Sequence, residues 1–163
     1  MRHAAALAAR IAALCLAGAA VPGASAAQEV AAVSAADPDS VLRALQTLGF
    51  GGTRTADSYG DPMIESAAEG VEFNILFYGC EDNADCTVIQ FRAGFDLEEG
   101  TTLAAVNDWN AARIFGKAFL DEENDPFVEM ALEMGRSMPF ETFAANHDWW
   151  RTVLVGFQEH IGW

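Results

Sequence analysis

Two cysteines that flank a short acidic turn are the side chains whose spacing most directly suggests chemistry. Cys80 and Cys86 stand at the two ends of Glu81–Asp85, between segments that each alternate apolar and polar residues. On an antiparallel hairpin, two cysteines on one face at the mouth of the turn come within disulfide distance. A zinc site would need four ligands, and a redox-active pair usually has the spacing C-x-x-C at the start of a helix. The pattern therefore favours a structural disulfide in an oxidising compartment.

A histidine and a group of carboxylates are the other ionisable side chains of interest. His147 is the one polar residue on an apolar seam near the C-terminus. Such a histidine is usually a hydrogen-bonded core residue, and the alternative is that it titrates and senses pH. The turn Asp121–Pro126 is rich in carboxylates and is interpreted as solvated, although a pair such as Asp121 and Asp125 would also serve a hydrolase.

Recognised catalytic motifs are missing from the sequence. It contains no G-x-S-x-G, no H-E-x-x-H, no P-loop and no glycine-rich dinucleotide fingerprint. The carboxylates of the acidic turn also lack the interleaved ligand spacing of a calcium loop. We therefore predict no catalytic residue, no metal site and no cofactor.

A helix predicted over Thr101–Phe115 carries the candidate contact residues for a partner, because it places amides and an aromatic ring beside an apolar face. The speculative partner-binding side chains are Asn107, Trp109, Asn110 and Arg113. An amide on an apolar helix face must find a hydrogen-bond partner or cost about 1–3 kcal/mol. The simpler interpretation is that these amides bond to the backbone of a neighbouring strand or loop, and the functional one is that they face a partner.

The hairpin Phe73–Phe95 is the element that positions these groups. In its two strands, from Phe73 to Phe77 and from Ile89 to Phe95, the odd-numbered positions are apolar and the even-numbered positions are mostly polar, which predicts a sheet with one aromatic core face and one mostly polar face. Glycine, proline and helical periodicity mark the remaining elements. These are a helix from Asp37 to Gly49, strands at Thr53–Ala56 and Met63–Ala67, and strands at Lys117–Leu120 and Phe127–Met134.

The C-terminal segment has the clearest helical pattern in the chain. Its apolar seam repeats at spacings of 3 and 4 residues and consists of Phe140, Phe143, His147, Trp150, Leu154, Phe157 and Ile161. The helix is expected to lie across the sheet or to pair with its twin in a homodimer. The predicted fold class is therefore α+β, with an antiparallel meander of about five to six strands and three flanking helices.

The N-terminus has the pattern of an export signal. Residues 1–27 combine a basic start, the apolar run Ile11–Val21 and an A-x-A-type cleavage site near Ala26 or Ala27. Residues 28–36 are expected to be a disordered leader, so the folded domain would span 37–163. The predicted location is periplasmic or secreted, and Cys15 would leave with the signal peptide.

The charge of the chain limits its partners. It has 24 Asp and Glu residues against 9 Lys and Arg residues, for a formal net charge of −15. Such a charge disfavours nucleic acid and anionic membrane surfaces. It would steer a cationic protein or peptide toward the surface, or would simply keep the protein soluble.

Several motifs resemble those of one family. They are Leu45–Phe50 (LQTLGF), Gly60–Ser66 (GDPMIES), Phe77–Phe95, Val106–Pro126 and the terminal IGW. In order and spacing, these motifs resemble the YbjN family of bacterial sensory-transduction regulators over Asp37–Trp163. The resemblance implies the fold of type III secretion chaperones, a regulatory role and no established catalytic residues. Better-known members are cytoplasmic, whereas this chain carries an export signal and a cysteine pair.

We expect from these observations an exported, non-enzymatic module that binds a protein or peptide, with Trp109 and Trp149 exposed. One alternative is an envelope sensor in which the cysteine pair or His147 responds to redox state or pH. The other, less favoured, is a periplasmic hydrolase with a carboxylate-based site.

Overall fold

The computed structural model describes residues 31–163, so the predicted signal peptide lies outside the described residues. The strands in this range are β1 (Ala32–Val33), β2 (Gly52–Ala56), β3 (Pro62–Ala68), β4 (Val71–Tyr78), β5 (Val88–Gly94), β6 (Lys117–Leu120), β7 (Pro126–Glu133) and β8 (Met138–Pro139). The helices are α1 (Pro38–Thr47), α2 (Leu103–Ala112) and α3 (Phe140–Ile161). The predicted α+β class is confirmed, and the three helices and the strands of the main sheet follow in the predicted order of helix, strands, helix, two strands and helix.

Six of the strands form one antiparallel sheet in the order β2-β3-β4-β5-β7-β6. The predicted hairpin lies at its centre, where Ile75 is paired with Phe91 and Phe77 with Ile89. All four side chains are buried, so the odd-numbered positions do form the core face.

Helix α3 lies across this core face of its own chain. Its seam residues Phe143, His147, Trp150, Leu154 and Phe157 are all fully buried. The ring of Trp150 stacks 5.5 Å from that of Phe91, and the ring of Phe157 packs 5.4 Å from that of Phe95. Aromatic packing of this kind adds about 0.5–1.5 kcal/mol per pair beyond burial alone. The seam therefore fixes α3 on the central strands.

The predicted disordered leader is wrong from residue 31 onward. Strand β1 pairs with β8, and Val33 and Ala35 are fully buried. The backbone N–H of Ser34 also donates to the hydroxyl of Ser40 at the start of α1. Because the partner strand of β1 lies more than a hundred residues away, the local Ala-rich sequence gives no signal of this pairing.

Helix α2 is shorter than predicted. It starts after Thr102, whose hydroxyl accepts from the N–H of Ala105, and the backbone becomes extended at Arg113. Ile114 therefore lies beyond the helix, and the predicted end of the helix at Phe115 is wrong. The chain turns into β6 at Gly116, which has a φ of +84° and where a Cβ would lie only 2.7 Å from Val153. Only glycine adopts this positive φ without strain and leaves room for the side chain of Val153.

Candidate functional site

A groove of about 920 Å³ opens between the loop that follows α2 and the outer face of α3. We call it the α2–α3 groove. Residues 112–115 form one side, residues of α3 from Asp148 to Glu159 form the other, and Glu69 contributes from the β3–β4 turn. A pocket of this volume accommodates side chains of a bound segment.

Exposed apolar side chains cluster around the α2–α3 groove. They are Ile114 at 95% exposure, Trp149 at 51%, Phe115 at 41% and Val155 at 40%. The rings of Phe115 and Trp149 lie 5.2 Å apart. Contiguous exposed apolar surface of this kind marks interaction sites, because water contact with it is unfavourable. The predicted exposure of Trp149 is confirmed.

Trp109 forms the floor of the groove instead of an exposed contact, so its predicted exposure is wrong. The residue is buried, its indole N–H donates to the carbonyl of Gly116, and its ring packs 5.0 Å from that of Phe157. The guanidinium of Arg113 lies 4.9 Å from the centroid of the indole ring. Trp109 and Arg113 thus form one stacked unit at the base of the groove.

The two asparagines of α2 lie outside the α2–α3 groove. The side chain of Asn110 donates to the carbonyl of Ala118 at 3.0 Å and accepts from the N–H of the same residue at 2.8 Å. This pair of bonds ties α2 to the edge strand β6, as the simpler of the two sequence interpretations predicts. Asn107 is exposed and does not line the groove. Of the four predicted contact residues, only Trp109 and Arg113 therefore meet there.

Charges in the groove are nearly balanced. Arg151 binds Glu69 at 2.6 Å and Asp148 at 3.3 Å, and all three residues line the groove. Glu159 and Arg113 line it as well, and neither has an ion-pair partner within 4.0 Å in residues 31–163. The groove is thus a nearly neutral, apolar region on a chain of net charge −15.

His147 is buried behind this surface, in contact with the ring of Phe50 at 4.5 Å. Within the described part of the chain, neither of its ring nitrogens has a hydrogen-bond partner. Burial, and secondarily the charge of Arg151, lowers the pKa of His147 from 6.5 to about 4. The core position agrees with the sequence interpretation, but the expected hydrogen bond is absent. A periodic pattern shows that a residue faces the core, but it does not show whether a hydrogen-bond partner is present there.

The structure contains the predicted disulfide between Cys80 and Cys86. It closes the β4–β5 turn, and Cys86 is buried. This turn and the β3–β4 turn that contains Glu69 lie at opposite ends of β4. The disulfide is therefore remote from the α2–α3 groove along the sheet.

The carboxylates of the acidic turn close the turn itself. Asp121 accepts from the backbone N–H groups of Glu123 and Asp125, and Asp125 accepts from that of Leu97. Over residues 31–163, no three His, Cys, Asp or Glu side chains are grouped to hold a metal ion. None of the helices described here is long and apolar enough to span a bilayer.

The fold and this surface define a two-layer α+β protein with an aromatic-lined groove. Residues 37–163 match the model of the YbjN family, described as "Putative bacterial sensory transduction regulator". The match covers most of the chain, so the chain belongs to the YbjN family. The description of the family names a regulatory role and no enzymatic activity. Neither the curated proteins nor the solved structures contain a match, and the likeness to type III secretion chaperones stays a prediction.

Proposed function

We propose that the protein is a regulator that binds a partner protein through the α2–α3 groove. The observation that carries this proposal is the concentration of exposed apolar side chains there. Four of the eight large apolar residues exposed in residues 31–163 line this one groove. Buried at an interface, such aromatic side chains supply most of the binding free energy in protein complexes.

The partner segment that fits is apolar at its centre and basic at its flanks. The groove is apolar and nearly neutral, which suits large aliphatic or aromatic side chains. The surrounding chain is strongly acidic, with a net charge of −15, and attracts Lys and Arg over a longer range. The same charge disfavours anionic lipid and nucleic acid as occupants.

Each part of the groove has a role in this complex. The contacting rings of Phe115 and Trp149 form an apolar surface against which a side chain of the partner packs, on a wall that α3 keeps in place. Glu159 receives a basic side chain, because its own carboxylate has no ion-pair partner in the described range. Arg151 holds the side chains of Glu69 and Asp148 in place at the groove through its ion pairs with them.

We further propose that binding takes place in the periplasm or outside the cell. The predicted signal peptide supports this location. So does the Cys80–Cys86 disulfide, because such bonds persist in oxidising compartments.

A peptide selection tests the proposal. A displayed dodecapeptide library is selected on the protein and counter-selected on the Trp149→Ala variant. We expect the enriched peptides to combine large apolar residues with Lys or Arg and to bind Tyr59→Ala normally. Tyr59 is the matched control, because it is an exposed aromatic residue outside the groove.

Two outcomes contradict the proposal. Acidic peptides, or peptides that bind Trp149→Ala as well as the unchanged protein, show that the groove is not the site. A stable dimer that dissociates on Ile114→Asp substitution shows that a second copy of the chain fills the groove.

A further inference from the structure

His147 sits in an aromatic cage formed by Phe50, Phe91 and Phe143. The ring centroids lie 4.5, 6.2 and 6.5 Å from that of the imidazole. Neither imidazole nitrogen has a hydrogen-bond partner in residues 31–163, although the side chain is fully buried. A buried polar group without a partner is unusual in a folded protein and marks a place where the structure is not optimised for stability alone.

One aromatic ring connects this cage to the α2–α3 groove. The ring of Phe50 contacts His147 on one side, and the guanidinium of Arg151 lies 5.4 Å from its centroid. Phe50 is a half-buried residue in the connection between α1 and β2, just after Gly49 with its φ of +89°. Arg151 lines the groove together with its partners Glu69 and Asp148. A movement of His147 is therefore transmitted to the groove through two contacts, the one between His147 and Phe50 and the one between Phe50 and Arg151.

The charged groups that face His147 come from two elements. Arg151 and Asp148 are on α3, and Glu69 is on the β3–β4 turn. The β5 strand and the α1–β2 connection present the aromatic rings of Phe91 and Phe50 to the imidazole. An imidazolium would therefore be repelled by Arg151 and attracted by both carboxylates, which are the groups that now hold Arg151 in place.

We infer that protonation of His147 in acid rearranges the α2–α3 groove and weakens its hold on the partner. Cation–π attraction from the rings does not replace the hydrogen bonds that an imidazolium makes in water, so Phe50 moves and the α3 turn from His147 to Arg151 shifts toward water. Asp148 and Glu69 then turn toward the imidazolium and release Arg151. The effect on partner binding rests on the proposed function, whereas the rearrangement of the groove does not.

An NMR titration from neutral to acid pH tests the rearrangement without any partner. The probes are the imidazole of His147, the side-chain methyl of Ile114 and the indole N–H of Trp149. We expect the two groove signals to shift with the midpoint of His147, and to lose that transition in His147→Phe. In Arg151→Gln, His147 should still titrate while the groove signals no longer follow it.

If the groove signals still show the transition in His147→Phe, carboxylates cause it and the inference is overturned. A single global unfolding event with no earlier change at Ile114 and Trp149 also overturns it. The affinity of a selected dodecapeptide should fall about tenfold across the His147 transition, a typical coupling between two sites. A peptide affinity that does not change across the His147 transition overturns this inference and leaves the proposed function intact. A groove that follows His147 but binds no peptide contradicts the proposed function alone.

Discussion

The indole ring of Trp149 lies 5.2 Å from the ring of Phe115, and both rings are exposed. Trp149 belongs to the 22-residue helix α3, and Phe115 to the loop that follows α2. The wall of the groove therefore forms only when α3 is packed on the sheet and α2 has ended before Ile114. Folding brings together two aromatic residues that lie far apart in the sequence.

Glu159→Lys should weaken the binding of a basic apolar peptide about threefold to fivefold at low ionic strength, because it replaces an attractive charge at the groove by a repulsive one. High salt should remove most of the difference, since the exposed charges are then screened. Fluorescence anisotropy with a labelled peptide measures both effects. Glu122→Lys is the control, as Glu122 is an exposed carboxylate outside the groove. Equal losses in both variants would point to net charge and not to a site.

His147 should make the protein less stable in acid. Its pKa is about 4 in the folded state and 6.5 when unperturbed, so the unfolded chain binds more protons between these values. Stability is therefore retained above about pH 6.5 and is lost as the pH falls toward 4, by about 3 kcal/mol in total. Urea unfolding near pH 7 and near pH 4.5 measures this loss.

The His147→Phe variant separates the histidine from the carboxylates that also titrate in acid. The difference in unfolding free energy between the variant and the unchanged protein should grow in favour of the variant as the pH falls. A difference that stays constant across this range contradicts the low pKa of His147.

Removal of the disulfide should affect stability and leave binding unchanged. Closure of so short a loop contributes about 2 kcal/mol in the chain-entropy model, and Cys80 and Cys86 lie remote from the groove along the sheet. The double Cys→Ser variant should show this loss in urea unfolding and the same peptide affinity as the unchanged protein. A changed affinity would instead favour the redox-sensor alternative.

Asn110→Ala should destabilise the fold by about 1–3 kcal/mol, because it leaves the N–H and carbonyl of buried Ala118 without their side-chain partners. Asn107→Ala is the matched control on the same helix and should change stability by less than about 0.5 kcal/mol, since the exposed amide of Asn107 makes neither of these bonds. Thermal unfolding of both variants measures the contrast. Similar losses in the two would remove the role of Asn110 as the link between α2 and β6.

Regular periodicity predicts the central packing of this fold well. Alternation in the hairpin places Phe91 in the core, and the seam with spacings of 3 and 4 residues places Trp150 on the core-facing side of its helix. The two rings do stack, at 5.5 Å. Both patterns are local, which is why they are visible without the structure.

The parts that sequence reasoning misses depend on distant contacts. The pairing of Val33 with Met138 has no local pattern, because each segment contributes only two residues. The exposure of Ile114 follows from the end of α2 at Ala112, whereas Gly116 fits equally well a helix that ends at Phe115. Trp109 is buried because Gly116 lets Val153 and the β6 connection approach it.

The most direct test of the central claim is the affinity of a selected apolar and basic dodecapeptide, measured by isothermal titration calorimetry. We predict that Trp149→Ala lowers this affinity at least about tenfold, as expected for an aromatic anchor at an interface. Tyr59→Ala should leave it unchanged, and both variants should keep the melting temperature of the unchanged protein. Equal affinities for all three proteins would contradict the assignment of the α2–α3 groove as the binding site.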